Sequence, residues 1–263
     1  MRIKMMLSCC FVLLFLAGHT QQKKVTLDYY FNHEFKKNSK GELVRFHYMW
    51  EDTVESGYSK WGNIFKQSGF VLGSLDSAPT VENLKGTSVY LIVDPDTELE
   101  TAKPNYIEPE HIKAIRNYVK HGGILVVMAN DSGNVEFKHL NKLTESFGIH
   151  LNEDSKSKVY KNNYEMGAFY IPAGDPIFTT AHKVYMKEVT SLQLYKNAVP
   201  VITHQTEKYI VAAKATYGKG TVLVIGDPWF YNEYLNGHLG NNNGWENDKA
   251  AADLSHWLFT ISK

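Results

Sequence analysis

Two apolar stretches decide the fold: Ser88–Val93, which reads SVYLIV, and Ile124–Ala129, which reads ILVVMA. Neither stretch alternates apolar with polar residues, as a strand with one solvated face would. Continuous apolar runs of this length are typical of strands in a parallel sheet that is covered on both faces. The sequence therefore predicts an α/β fold in which both strands are buried.

Segments with helical periodicity separate the predicted strands. A strand at Val25–Tyr30 and another at Phe70–Leu75 flank a helix at Gly57–Gly69, whose apolar residues share one face. Strands that alternate with helices favour a parallel sheet with helices on both faces. The other predicted helices run from Glu108 to Gly122, over Asn134–Phe147 and over Asn247–Thr260.

Residues 149–215 have a different pattern, with several short strands separated by turns. Tyr209–Ala215 and Thr221–Ile225 flank a glycine-rich turn at 218–220, which predicts a hairpin. The predicted architecture is one domain with a mostly parallel sheet and a β-rich insertion before the last strand and helix.

The first twenty residues are predicted to be a signal peptide. Arg2 and Lys4 give a basic start, and Met5–Ala17 is an apolar run that is shorter than the roughly 20 residues a membrane span needs. We therefore expect an exported protein, periplasmic or secreted, whose domain covers residues 21–263. Cleavage would remove Cys9 and Cys10, the two cysteines of the chain, which excludes disulfides and a thiol nucleophile.

Charge and known motifs exclude several classes of partner. The 28 Lys and Arg residues balance 28 Asp and Glu residues without a basic stripe, so nucleic-acid binding is not expected. No later stretch is apolar enough for a membrane span. The chain also lacks a G-x-S-x-G elbow, a P-loop and an H-E-x-x-H motif. No cofactor is expected with certainty, although the carboxylates of the chain leave open the binding of a divalent cation.

Polar residues follow the predicted parallel strands at their carboxyl ends. Ligands of open α/β sheets bind outside these ends, so the polar clusters are predicted to form one site. An alternative is that single Asp and Asn residues only cap helices or build turns. The candidates for substrate binding in these clusters are Asn32, Asp94, Asn130, Asp131, Trp229, Asn232 and Glu233.

The segment Arg45–Asp52, which reads RFHYMWED, combines a cation and a histidine with three aromatic residues. Flat aromatic faces beside hydrogen-bonding groups suit a sugar, whose rings have apolar faces and polar edges. The alternative is that Phe46, Tyr48 and Trp50 form the buried face of a strand. The substrate-binding candidates from this region and from the long loop after Ser88–Val93 are Arg45, Trp50, Trp61, Lys103 and Asn105.

Several motifs together resemble a known domain family. These motifs are Leu27–Glu34, Phe46–Asp52, Val93–Glu98 with Pro104–Ile107, and Gly226–Tyr234. The family occurs in polysaccharide-degrading bacteria, alone or fused to unsaturated rhamnogalacturonyl hydrolases. Its fold is similar to that of class I glutamine amidotransferases, so the resemblance implies a flavodoxin-like three-layer sandwich. This chain lacks the amidotransferase's nucleophilic cysteine, so glutamine hydrolysis is not implied.

The resemblance also implies an activity on carbohydrates. The chain looks like ulvan-type oligosaccharide dehydratases, which remove water from a terminal uronic acid to leave a 4,5-unsaturated residue. Such an enzyme is a lyase and works alongside polysaccharide lyases and unsaturated-uronyl hydrolases. The reaction needs a base for H5, an acid for the C4 oxygen and a partner for the uronate carboxylate. The catalytic candidates are His47, His33, Tyr106, Glu34 and Tyr231.

Two other functions remain open at this point. A non-catalytic module that binds uronate-containing glycans would expose its aromatic residues on an open face, with no acid or base beside them. A glycoside hydrolase would use two carboxylates, for example Glu34 with Asp227 or Glu233, about 5 to 9.5 Å apart. The oligomeric state does not follow from the sequence.

Overall fold

The computed structural model describes residues 22–237 and 244–263, so the predicted signal peptide and both cysteines lie outside the described residues. We number the strands in chain order as β1 (Lys24–Asp28), β2 (Phe35–Lys37), β3 (Leu43–Arg45), β4 (Val71–Leu75), β5 (Val89–Val93), β6 (Ile124–Met128), β7 (Ile149–Leu151), β8 (Ala168–Tyr170), β9 (Lys183–Tyr185), β10 (Leu192–Leu194), β11 (Val199–Thr203), β12 (Ile210–Tyr217) and β13 (Gly220–Ile225). The helices are α1 (Ser59–Gln67), α2 (Pro109–Lys120), α3 (Phe137–Glu145) and α4 (Asn247–Ile261), with a 3-10 turn at Tyr164–Gly167.

Five parallel strands form the centre of the sheet in the order β4-β1-β5-β6-β13. Numbered among themselves, they follow the order 2-1-3-4-5 of flavodoxin. Both apolar stretches of the sequence are central strands, and every residue of β5 and β6 is buried. The α/β fold with a mostly parallel sheet is therefore confirmed.

The predicted β-rich insertion extends the same sheet. β12 pairs antiparallel with β13, which confirms the hairpin, and β10, β7 and β11 add further antiparallel strands. β8 and β9 form a separate two-stranded sheet. The insertion thus extends the sheet beyond β13, and β4 forms the opposite edge.

Helices cover both faces of the sheet and give it two cores. On one face, Trp61 of α1 and Leu254 of α4 pack with Leu27 and Leu91. On the other face, residues of α2 and α3 pack with Tyr90, Ile92 and Leu125. Successive residues of a strand point to opposite faces, so each central strand contributes to both cores. No helix within residues 22–237 and 244–263 has the length and apolarity to cross a bilayer.

Helix α3 begins three residues later than the sequence predicts. Asn134 donates from its side chain to Asp131 at 2.6 Å, so it belongs to the preceding turn. The Glu136 carboxylate accepts the His139 backbone N–H at 2.9 Å and caps the first turn. An acceptor at this position satisfies one of the free N–H groups of a helix start.

Candidate functional site

The carboxyl ends of β1 and β5 meet where the strand order reverses, which is where open α/β sheets bind ligands. The Asn32 side chain donates to the Asp94 carbonyl oxygen at 2.9 Å and joins the two loops. From the next strand end, Asn130 donates to the Asp94 carboxylate at 3.3 Å. The predicted polar clusters therefore do lie at one edge of the sheet, although Asn32 is buried and serves to join loops.

A short hairpin brings Glu34 and His47 together. Glu34 directly precedes β2, His47 follows β3 after one residue, and the two strands pair antiparallel. His47 Nδ1 lies 2.6 Å from Glu34 Oε1. A carboxylate only accepts hydrogen bonds, so it fixes the tautomer that carries a proton on Nδ1. The Nε2 atom of His47 is then available to take or give a proton.

The backbone at this pair is strained. His47 has φ 75° and Tyr48 has φ 49°, two consecutive residues in the left-handed region. Side chains other than glycine rarely adopt this conformation, and such strain concentrates at functional sites. The three rings Phe46, His47 and Tyr48 stack in sequence, with 4.2 Å between the His47 and Tyr48 centroids. The strain and the stack hold the imidazole in one orientation.

His47 opens onto a pocket of about 480 Å³. This volume lies within the range of small-molecule sites. The pocket is lined by His47, Tyr48, Val54, Glu55, Ser56, Tyr231 and Glu233. Of the residues predicted from the sequence, the structure therefore brings His47, Tyr231 and Glu233 to one cavity, with Glu34 held behind His47.

Two buried aspartates lie close to Tyr48. The Tyr48 hydroxyl forms a hydrogen bond with Asp94, and a charged Asp227 would raise the pKa of the same phenol. Burial raises the pKa of Asp94 and that of Asp227 well above the usual range of a carboxyl group. Burial also raises the pKa of Tyr231 well above that of free tyrosine. Tyr231 therefore stays protonated, and both carboxyl groups favour their neutral form.

His33 and Arg45 form a separate group outside this pocket. Arg45 donates to the Tyr29 carbonyl oxygen at 2.6 Å and pairs with Asp76 at 2.7 Å. His33 Nδ1 is in contact with the same guanidinium. The prediction that Arg45 binds the substrate is not supported, because Arg45 pairs with Asp76 and does not line the His47 pocket.

The long loop after β5 keeps its predicted residues away from His47. Asn105 donates to the Tyr30 carbonyl oxygen at 2.8 Å. The Tyr106 hydroxyl donates to Glu98 at 2.9 Å, and its ring stacks on His139 of α3. Lys103 is exposed. None of the three lines the His47 pocket.

The three tryptophans predicted to bind substrate are buried, which argues against that role. Trp61 and Trp229 are fully buried, and Trp50 is 8% exposed. Trp61 packs on Phe65 with 4.8 Å between ring centroids and donates to Ser255 at 3.1 Å. Their apolar area is more stable in the core between the sheet and α1 than in water. The alternative of a buried aromatic face is confirmed for Tyr48 and Trp50, although residues 46–50 are not a strand.

Asn232 and Asp131 hold loops and are not free to bind a ligand. The Asn232 side chain accepts the Lys60 N–H at 2.9 Å and donates to the carbonyl oxygens of Asp52 and Val54. Asp131 accepts hydrogen bonds from the Asn134 and Ser155 side chains. Among the described residues, no group of three or more His, Cys, Asp or Glu is arranged to hold a metal ion.

Sequence reasoning missed Tyr48 and Ser56 as pocket residues. Tyr48 stood within the RFHYMWED segment, but its alternation with Phe46 and Trp50 indicated burial alone. Ser56 reaches the pocket because its carbonyl oxygen accepts the Tyr48 N–H at 2.9 Å. No local pattern signals this contact, which depends on the strained turn at His47 and Tyr48.

Comparisons with known proteins identify the fold alone. No family model matches the chain, and no curated protein matches it. Among solved structures, the N-terminal domain of mmIFT52 is similar with a TM-score of 0.66 and 19% identity, over 90% of this chain and 98% of that one. The cytoplasmic protein STM1381 of Salmonella typhimurium LT2 has a TM-score of 0.60 and 17% identity, over 92% and 100%. STM3548 of Salmonella typhimurium has a TM-score of 0.54 and 16% identity, over 91% and 97%.

Proposed function

We propose that this protein is an exported carbohydrate-active lyase that removes water from the terminal uronic acid of an oligosaccharide. The observation that carries the proposal is the 2.6 Å contact between His47 and Glu34, at the mouth of a pocket beside the topological switch point. An oriented histidine with one free nitrogen supports proton transfer. The uronate substrate class rests on the motifs that resemble oligosaccharide dehydratases.

The pocket offers a base and an acid for this elimination. His47 Nε2 takes the proton from C5, the C4–C5 double bond forms, and the C4–O bond breaks. The Tyr231 hydroxyl gives its proton to the leaving oxygen, which departs as water. One proton then passes from the His47 imidazolium to the Tyr231 phenolate through solvent, and the enzyme returns to its starting state. The carboxylate of Glu34 stabilises the imidazolium in between.

Neutral buried acids would let this pocket accept an anion. Asp94 and Asp227 would repel a uronate if both were charged, but the raised pKa of each favours the uncharged form. A protonated Asp94 can donate to the Tyr48 oxygen, which frees the Tyr48 proton for the substrate carboxylate. The Ser56 hydroxyl is a second donor at the same pocket.

The two alternatives receive less support. A non-catalytic glycan module needs no acid or base beside its aromatic residues, yet this pocket holds His47 oriented by Glu34. A hydrolase that used Glu34 with Asp227 needs both carboxyl groups to reach the glycosidic bond. Glu34 is engaged by His47, and Asp227 is 2% exposed.

Product analysis tests the proposal. Purified protein is incubated with saturated oligosaccharides that end in a uronic acid. The masses of the products are measured by mass spectrometry, and the ultraviolet absorbance is followed during the reaction. We expect a loss of one water per chain and a rise in the absorbance of the unsaturated uronate. Shorter saccharides would instead identify a hydrolase, and binding without any change in mass would identify a binding module.

A further inference from the structure

A second cavity, of about 590 Å³, lies on the β-rich insertion. It is lined chiefly by Lys156, Lys158, Tyr160, Met166, His204 and Glu207. We propose that this cavity binds the anionic sugar residues that follow the one held in the His47 pocket. The inference rests on the proposed function and narrows its substrate class to oligosaccharides with several uronate residues.

Two lysines of this cavity can meet an anion. Lys156 and Lys158 line it and Lys158 is exposed, while Glu207 carries an opposing charge in the same lining. Lys156 has Asp154 at 3.7 Å, but an exposed pair at this distance stabilises little. Glu165 also lines the cavity, and its charge is paired with Lys183 at 2.5 Å. The two lysines are therefore available to a carboxylate on a ligand.

Ring faces lie beside these cations. Tyr160 is 60% exposed, so its ring is open to a ligand. His204 stacks on Tyr209 with 4.8 Å between centroids and 15° between planes. The His204 Nδ1 atom accepts the Glu207 N–H at 3.1 Å, so a neutral His204 carries its proton on Nε2. Aromatic faces with polar donors at their edges match the faces and hydroxyl groups of a sugar ring.

The segment that carries Lys158 and Tyr160 also contacts the first pocket. Val159 packs in one cluster with Tyr185 and Tyr234, and Tyr231 packs against the same cluster. Tyr231 lines the His47 pocket, whereas the neighbour of Val159, Tyr160, lines the second cavity. This cluster therefore contacts the Tyr231 side of the first pocket and the segment that lines the second, and the proposal places the ligand chain over it.

The segment is held in place before any ligand arrives. Lys156 exchanges both backbone hydrogen bonds with Val189, at 2.8 and 3.0 Å. The Ser157 and Tyr209 hydroxyls are hydrogen-bonded at 2.7 Å. A segment fixed in this way loses little further conformational entropy on binding. The anchoring therefore favours a preformed subsite.

Calorimetric titration of a variant that cannot turn over tests this site. His47→Ala is titrated with β-1,4-glucuronan oligosaccharides of two and of six residues, and with cellohexaose, which has the same backbone without carboxylates. We expect the uronate hexamer to bind about tenfold more tightly than the dimer. Cellohexaose, which lacks carboxylates, should bind much more weakly than the uronate hexamer.

Variants of the second cavity test whether it causes the higher affinity for the hexamer. Adding Lys158→Ala and Tyr160→Ala should lower hexamer affinity to that of the dimer and leave the dimer unchanged. The matched controls are Lys142→Ala, at an exposed residue of α3, and Tyr195→Ala, at a tyrosine that is 47% exposed. Neither control should change the affinity for the hexamer.

The outcomes separate this inference from the proposed function. Equal affinity of dimer and hexamer, an unchanged hexamer affinity in the double variant, or no binding of either oligosaccharide overturns the second site. If the length dependence needs Lys158 and Tyr160 while the wild-type protein never releases water, the second site is upheld and the lyase proposal fails.

Discussion

The buried carboxyl group of Asp28 should make the stability of the protein fall as pH rises. Asp28 is the last residue of β1, and it accepts the backbone N–H groups of Tyr30 and Phe31 at 3.1 and 2.7 Å. These bonds shape the turn that leads to Glu34. Burial, the largest cause, raises the pKa of Asp28 from 3.8 to about 7, against the opposing effect of its hydrogen bond from Tyr90.

The sign and size of the effect follow from proton linkage. Between pH 3.8 and about 7, the unfolded chain has released the Asp28 proton while the folded protein still holds it. The free energy of unfolding is therefore highest below pH 4 for this group and falls by about 1.4 kcal/mol per pH unit through the window. Over the whole window the loss is about 4 kcal/mol, and above it the contribution stays constant.

Asp28→Asn removes this titration while keeping the shape of the side chain. Its amide oxygen can accept the same backbone N–H groups. Urea unfolding of both proteins at pH 4.5, 6 and 8 should show the variant gaining about 3 to 4 kcal/mol on the wild type as pH rises. Asp175→Asn is the matched control, since Asp175 accepts the N–H groups of Ile177 and Phe178 at 2.8 Å without being fully buried. A difference between Asp28→Asn and wild type that does not change with pH refutes the reasoning.

Three further predictions concern the site and its support. Glu34→Gln should lower turnover about 10²-fold or more with little change in the melting temperature, because an amide stabilises the imidazolium poorly; equal turnover contradicts this. Tyr48→Phe should reduce kcat/KM about tenfold to hundredfold, the effect of losing a hydrogen bond to a charged group; steady-state kinetics that match the wild type exclude that bond. Trp61→Ala should cost about 3–5 kcal/mol of unfolding free energy in urea, and a cost below 1 kcal/mol would place Trp61 at the surface.

The order of strands and helices could be predicted because burial leaves a direct mark on the sequence. β5 and β6 are covered on both faces, so both strands consist almost entirely of apolar residues, and the continuous runs SVYLIV and ILVVMA follow. The glycine-rich turn at 218–220 marks the hairpin in the same local way. These signals need no knowledge of the tertiary structure.

The His47–Glu34 contact could not be predicted because it depends on chain reversal. Both residues were candidates, but β2 and β3 have three residues each, and β2 (Phe35–Lys37) is exposed throughout. Such strands leave no periodic pattern in the sequence. The left-handed backbone at His47 and Tyr48 is likewise invisible before folding.

The burial of the tryptophans could not be predicted because their local surroundings in the sequence are polar. Trp229 follows Asp227 and Pro228 and precedes Asn232, residues that are typical of an exposed loop. In the folded protein Trp229 packs on Phe178, which is distant in the sequence, and on its chain neighbour Phe230. The Arg45–Asp76 pair could not be predicted for a related reason, since the two residues lie 31 apart in the sequence.

Turnover by His47→Ala, set against turnover by His150→Ala, tests the central claim most directly. His150 pairs with Glu145 at 2.8 Å and its side chain is 29% exposed, close to the 27% of His47, but it lies on β7 away from the pocket. With uronate-ended oligosaccharides, we expect wild type and His150→Ala to release one water per chain and His47→Ala to release none, while all three proteins unfold at similar temperatures. Equal loss of water by the His47 variant would contradict the claim that this histidine is the base.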